Sequence, residues 1–359
     1  MEYRDSNTEL LRLVCMMLIV MHHRLIYGYY SIPFVLECQG ECDVLSSIAI
    51  ILNGLCYIGA NVFVLISGFY GIKFKWRGLL TLYLTCSFYA LVTYLAGKWG
   101  LIEPDGSGIR LIIMPLSCRY WWFMTDYFIL YMFSPLLNKA IDYLNKKEFI
   151  RVLVLFTIAN VYFGYGFEVY NQNGYRVAQF VYLYLIAAYL RRYVNIESIA
   201  KTNAFLLYFG SALLFGVFSI LSHYMNVPKF RSFAYHNPLL LIASISFFIL
   251  FLRFHFKSKR INWMAKGAIG IYLFPETIFS GKWQQMIYDP YIGNMAIGVD
   301  VLFMITTLFV YAVLYCLFAM VFDRIRIVLL RNGVYPIFDR IDKYVENKHF
   351  ERNSNSVIK

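Results

Sequence analysis

The sequence predicts an all-α integral membrane protein of about ten transmembrane helices, with both termini in the cytoplasm. Three observations predict it. Of 359 residues, 60% are hydrophobic and only 15% are charged, whereas soluble proteins carry about 25% charged residues. The apolar residues gather in runs that suit a bilayer crossing, which takes about 20 residues of helix. The Lys and Arg residues fall between those runs in the alternating way that sets membrane topology. A soluble core could not absorb this much apolar sequence, which includes 32 Phe and 31 Tyr.

The first run, Leu10–Tyr29, follows a short polar segment, Met1–Glu9, with no small-residue cleavage site. It therefore reads as an anchored helix rather than a removed signal peptide. Ser47–Phe69, Leu79–Ala96 and Tyr120–Leu137 follow, the last after an outer loop at Gly97–Arg119. Phe149–Phe167 is the fifth span. Val177–Leu190 and Pro238–Leu252, the sixth and eighth, are short enough to be tilted, shielded or interfacial. Ala204–Tyr224 lies between them as the seventh. Ile261–Phe279 and Ile297–Phe322 complete the ten, which gives a transmembrane domain at 1–322 and a short charged cytoplasmic tail at 323–359.

Of the 33 Lys and Arg residues, 23 fall in segments that this threading places inside and 8 in segments that it places outside. Arg12 and Lys266 lie within spans. Every inner loop between spans holds at least three, and this bias fixes the orientation. The net charge of +12 is thus a membrane feature. No basic recognition helix or aromatic RNA-binding strand motif is present, so nucleic acid is not an expected partner. The seven cysteines follow neither a zinc nor a haem spacing, and no metal site is expected. Cys38 and Cys42 share one loop, and a disulfide between them requires that the loop face an oxidising compartment. Oligomeric state is not set by the sequence.

Polar groups at membrane depth are the functional candidates, because a charge there costs several kcal/mol unless it is paired or wet. The first span holds Glu9, Arg12, His22 and His23. Arg12 and His23 are eleven residues apart, so they differ by only about 20° around the helix and lie about 16 Å apart along it. His22 sits about 80° off that face. Arg12 either pairs with Glu9 one turn back and reaches the inner headgroups, or lines a polar tunnel below His23. His23, so deep, needs a partner or a wet cavity.

The second span ends with Asn61, Ser67 and Gly68, small or polar groups that admit a helix or a ligand at close range. Lys73 and Arg77 follow on the inner side, where they can grip a donor's phosphates or act only as topology determinants. Trp122 and Asp126 open the fourth span among aromatic residues, as an interfacial belt or as a stacking platform for a sugar. Glu276, deep in the ninth span, can pair with Lys266 or His23, or face a wet outer vestibule.

These residues carry a resemblance. Arg12 and His23, with ten residues between them, resemble the arginine–histidine signature of the membrane acyltransferase-3 family. Phe63-Val64-Leu65-Ile66-Ser67-Gly68-Phe69, followed by basic residues, is similar to that family's second-helix motif. Tyr120-Trp121-Trp122-Phe123, Ser134-Pro135-Leu136-Leu137-Asn138, His236–Ser246 and Ile261–Phe274 resemble the branch that modifies bacterial surface glycans and exopolysaccharides. The likeness runs along nearly the whole chain in the same order. It departs at Pro275, where the family pattern has a histidine beside the acidic residue matched by Glu276.

The resemblance implies an O-acyltransferase, usually an O-acetyltransferase, in a bacterial cell membrane. The donor would be cytoplasmic acyl-CoA, typically acetyl-CoA, as a substrate and not a bound cofactor. The acceptor would be a hydroxyl of a carbohydrate, free or lipid-linked. His23 would be the general base and Arg12 the group that holds or orients the donor, with Ser67 lining the thioester path or facing the developing oxyanion. A covalent acyl-histidine intermediate stays open. Two other readings remain: a transporter or flippase for a lipid-linked glycan, and a non-catalytic relative, which Pro275 keeps in play.

Overall fold

The computed structural model describes residues 5–27, 44–102, 108–117, 121–224, 233–275, 297–337 and 340. Among these residues every regular element is helical and there is no strand. The helices are α1 Ser6–Tyr27, α2 Val44–Cys56, α3 Gly59–Tyr70, α4 Trp76–Lys98, α5 Gly108–Ile113, α6 Trp122–Tyr143 and α7 Lys146–Thr157. They continue with α8 Val177–Tyr193, α9 Lys201–Tyr224, α10 Pro238–Leu252, α11 Lys259–Met264, α12 Ala268–Leu273 and α13 Ile297–Leu329.

Five stretches are long and apolar enough to cross a membrane: Val44–Tyr70, Trp76–Lys98, Lys146–Gly166, Lys201–Ser222 and Gly298–Ile337. The other expected spans differ in length or in charge. α1 and α6 have 22 residues each, but α1 carries Glu9, Arg12 and Arg24, and α6 carries Asp126, Lys139 and Asp142. α8 has 17 residues and α10 has 15. Large apolar side chains line the outside of the long helices, as in Leu302, Leu314 and Val321 of α13, each more than 60% exposed. Lipid is the solvent for such a surface.

Three spans are broken where the sequence suggested continuous helices. The second becomes α2 and α3, joined at Tyr57 and Ile58. The fifth runs from α7 into a π-helical segment, Ile158–Gly166. The ninth is not one helix. α11 passes through a 3-10 turn at Ala265–Gly267 into the short α12. Pro275 accounts for the end of α12, since a proline pushes the residue before it out of helical conformation. Phe274 is extended, with φ −63° and ψ 133°. Tyr315 of α13 donates to the Ile271 and Phe274 carbonyls at 3.2 and 2.8 Å, so the broken end keeps its hydrogen bonds.

The last helix continues to Leu329, past residue 322. Its extra turns hold a buried ion pair, Arg326 Nε to Asp323 Oδ1 at 2.6 Å and Nη2 to Oδ2 at 2.8 Å. Tyr89 of α4 donates to Asp323 at 2.7 Å, and Arg326 donates to Thr85 at 3.0 Å. This network ties the C-terminal turns of α13 to α4.

The centre of the molecule is α3. It packs along α8 and also touches α1 and α10. Its two glycines allow this. A Cβ on Gly68 would stand 2.4 Å from the Tyr184 carbonyl oxygen and 2.7 Å from its Cα, so the α8 backbone occupies the space that a side chain would take. A Cβ on Gly59 would stand 3.0 Å from the Cys15 carbonyl oxygen and 2.6 Å from Ile19, which lets α1 lie against the start of α3.

Candidate functional site

One cavity of about 240 Å³ lies between α1, α3, α6 and the α11–α12 turn. Arg12, Met16, Ile19 and His23 line it from α1, at a spacing of three to four residues. That spacing is one helical face, and it forms because 3.6 residues make a turn. The close approach at Gly59 seats this face against α3, which adds Ala60, Phe63, Ile66 and Ser67. α6 contributes Trp122, Phe123 and Tyr127, while Lys266 and Tyr272 come from the broken ninth segment.

Arg12 both pairs with Glu9 and lines the cavity. Its Nη1 donates to Glu9 Oε1 at 2.9 Å, one turn back, and the side chain also faces the cavity. Glu9 is buried at 3% exposure, so the pair offsets the cost of placing two charges in an apolar helix. A guanidinium has five N–H donors, and the Glu9 bond uses one.

His23 and His22 part company. His23 is half-buried on the cavity wall. His22 is buried outside it, with its Nδ1 2.7 Å from Asn53 Oδ1. An amide oxygen only accepts, so Nδ1 is the donor. The Tyr57 and His22 rings stand nearly perpendicular at a centroid distance of 4.6 Å.

Ser67 lines the cavity beside Tyr127. Its hydroxyl donates to the Phe63 carbonyl at 3.1 Å and accepts from the Tyr127 hydroxyl at 3.1 Å. Trp122 also lies on the wall, inside the bundle. It sits 5.1 Å from Tyr235, 4.6 Å from Tyr175 and 6.0 Å from Phe180, centroid to centroid. Of these rings, Trp122 and Tyr235 line the cavity.

The remaining candidates lie elsewhere. Asn61 is 2% exposed and donates to the Tyr235 carbonyl at 3.0 Å. Gln179 donates to the same oxygen at 3.0 Å, so both amides hold Tyr235 in place. Asp126 accepts from the Val177 N–H at the start of α8 and faces Arg176, where a carboxylate complements a helix N-terminus. Lys73 is exposed in the 71–75 loop. The Arg77 guanidinium lies 4.6 Å over the Tyr335 ring. Glu276, Cys38 and Cys42 lie outside the described residues.

Three wall residues were not singled out by sequence as parts of the site. Lys266 had been read only as an ion-pair partner for Glu276, yet it places a second cation on the cavity that Arg12 enters. Tyr127 reaches Ser67 because it is one turn and a little more along α6 from Trp122. Tyr235 arrives from the segment before α10. That helix is started by Asn237, whose Oδ1 accepts from Leu239 N–H at 2.9 Å, with Pro238 at the first helical position. This is a standard N-cap, and it fixes where Tyr235 points.

Chemically, the cavity wall holds an imidazole, two cationic side chains and several aromatic rings. No curated protein and no solved structure matches the chain. The model of the acyltransferase-3 family, an acyltransferase domain, matches residues 6–322. That match spans every helix described here except the last turns of α13, and with it the chain belongs to the acyltransferase-3 family of membrane acyltransferases.

Proposed function

We propose that this chain is an O-acyltransferase of a bacterial cell membrane. It moves an acyl group, most simply acetyl, from cytoplasmic acyl-CoA to a hydroxyl of a cell-surface or exopolysaccharide sugar, free or lipid-linked. In this reading ten spans thread the bilayer and both termini are cytoplasmic. The observation that carries the proposal is that Arg12, His23, Ser67 and Trp122 line one cavity.

A sugar hydroxyl is a weak nucleophile, so a base must take its proton as its oxygen attacks the thioester carbonyl. His23 is that base. The tetrahedral intermediate then collapses with cleavage of the carbon–sulfur bond, and the imidazolium returns the proton to the departing CoA thiolate. Arg12 and Lys266 hold negative charge at the inner end, where a donor arrives from the cytoplasm. The Tyr127 hydroxyl faces the reacting region and, by turning its one proton from Ser67 to the carbonyl oxygen, donates a hydrogen bond there as charge develops. Trp122 and Tyr235 present flat faces to the acceptor.

The test is release of CoA thiol from proteoliposomes. Acetyl-CoA is supplied to the cytoplasmic face together with a panel of bacterial glycans, for the native chain and for His23→Ala. Acceptor-dependent release by the native chain that His23→Ala abolishes is the expected result. A native chain that neither binds acetyl-CoA nor releases thiol with any acceptor would overturn the proposal in favour of transport or a non-catalytic role.

A further inference from the structure

The segment between the π-helical stretch Ile158–Gly166 and α8 holds the least ordinary backbone of the chain. Glu168, Asn171, Gln172 and Asn173 have φ of 58°, 69°, 23° and 57°, and among the described residues these are the non-glycine positions with positive φ. Only glycine enters that region freely, although asparagine tolerates it better than most. Gly174 follows at φ 80°. A π-helix is itself rare and occurs most often at functional positions. Strained backbone persists only where its surroundings hold it, and it too collects at functional sites.

The segment's own bonding does not explain its shape. Asn171 Nδ2 donates to Asn160 Oδ1 at 2.6 Å. Yet Asn171 Oδ1 and Asn160 Nδ2 are both buried and meet no partner among the described residues. A buried amide atom left unmet is a cost.

What the shape accomplishes is a placement. The Asn173 carbonyl accepts from the Tyr235 N–H at 2.8 Å. A Cβ on Gly174 would stand 2.8 Å from the Tyr235 Cβ and 3.0 Å from the His236 backbone nitrogen, so glycine lets the two segments touch. Tyr175 then stands against both aromatic residues of the cavity wall. Its ring lies 4.6 Å from Trp122 and 5.1 Å from Tyr235, at interplanar angles of 68° and 83°. Tyr57 stacks on the other ring system, 4.6 Å from Tyr235, with its hydroxyl 3.3 Å from that of Tyr175. Trp122 and Tyr235 line the cavity, and Tyr57 and Tyr175 back them.

The two wall rings meet at 41°. A pyranose rests its C–H face on such rings and carries its hydroxyls around the rim. Their tilt therefore decides which hydroxyl reaches His23, and a misplacement of about 1 Å can cost a reaction about 100-fold. We propose that the 171–175 segment sets the position acylated on the sugar, with Gly174 and Tyr175 as positioning residues that hold the tilt of Trp122 and Tyr235. This inference rests on the acyl-transfer reading of the His23 cavity.

The experiment is product analysis by NMR, with the full chain in proteoliposomes, acetyl-CoA as donor and the glycan panel as acceptors. Reactions are quenched early in mild acid, before acyl groups migrate between hydroxyls. The native chain is expected to acylate one position. Tyr175→Ala and Gly174→Ala should spread the acyl group over neighbouring hydroxyls and raise the acceptor's KM several-fold, with the KM for acetyl-CoA unchanged. Tyr175→Phe, which keeps the ring, should restore the native position. Gly174→Ala also strains the backbone, so Tyr175→Ala, at a half-buried position, decides the matter if the glycine variant does not fold. A Tyr175→Ala chain that keeps the native position and the native acceptor KM would overturn the inference and leave the acyl-transfer reading standing, even if its rate fell. A native chain that acylates no acceptor would overturn both.

Discussion

Arg12 and His23 face one cavity from opposite ends of the same helical stripe, while His22, next in sequence, is locked to Asn53 outside it. The two histidines therefore sit in different surroundings, and on the proposed function their loss should differ. His23→Ala should lower the rate of acyl transfer by about 10²- to 10⁴-fold, the usual worth of a general base, with the fold intact. His22→Ala should instead leave the Asn53 amide unpaired in the interior, at a cost of about 1–3 kcal/mol. Its thermal unfolding should shift down while residual activity per folded molecule is retained. Thiol release and melting curves on both variants check this. A loss of rate in His22→Ala that matched His23→Ala would remove the distinction.

Gly68 gives a sharper structural test. The atoms that a new Cβ would meet belong to the α8 backbone at Tyr184, which cannot rotate away. Gly68→Ala should therefore force α3 and α8 apart and cost about 1–3 kcal/mol, the usual range for overpacking. Because α3 carries Ser67 on the cavity wall, activity should fall as well. Thermal unfolding in detergent, alongside thiol release, reads both effects. Unchanged stability would mean that the two helices are not packed at this point.

How far the sequence could go depended on whether the relevant distance ran along the chain or across it. The Arg12–His23 stripe was legible because helix geometry converts a spacing of eleven into one face. The pairing of Arg12 with Glu9 was legible for the same reason. The role of Asn61 was not, because its partner, the Tyr235 carbonyl, is 174 residues away. Lys266 and Tyr235 reach the cavity only through packing of distant segments. Trp122 could equally have faced lipid, since aromatic residues lie on several sides of that helix end, and only the bundle decides. Pro275 was visible as a departure, but the 3-10 turn at Ala265–Gly267 that divides the ninth span into α11 and α12 has no comparable mark in the sequence.

The Asp323–Arg326 pair makes the last turns of α13 part of the fold. Both side chains are buried, at 0% and 4% exposure, and both bond to α4. Breaking such a pair leaves a charge without its partner and costs about 3–5 kcal/mol. Arg326→Met should therefore lower the melting temperature strongly. A chain cut after residue 322, which loses both groups, should express poorly or unfold early, whereas a cut after 337 should not. If the 322 cut melted like the full chain, the last turns of α13 would carry no such weight.

The acceptor end can be tested through Trp122 and its neighbour Tyr235. Trp122 lies on the cavity wall and Tyr235 is held there by hydrogen bonds from Asn61 and Gln179 to its carbonyl. If a sugar ring lies on the Trp122 indole, truncation to Ala exposes apolar area that the complex had buried, on the order of 1–2 kcal/mol. That is about a tenfold rise in the acceptor's KM, with the KM for acetyl-CoA and the acceptor-independent hydrolysis of the donor unchanged. Trp122→Phe should recover most of the loss. Asn61→Ala should show a milder version of the same kinetic pattern, because it loosens Tyr235 without touching the ligand. A change confined to the donor's KM in these variants would place Trp122 at the wrong end of the cavity and reverse the direction assigned to the reaction path.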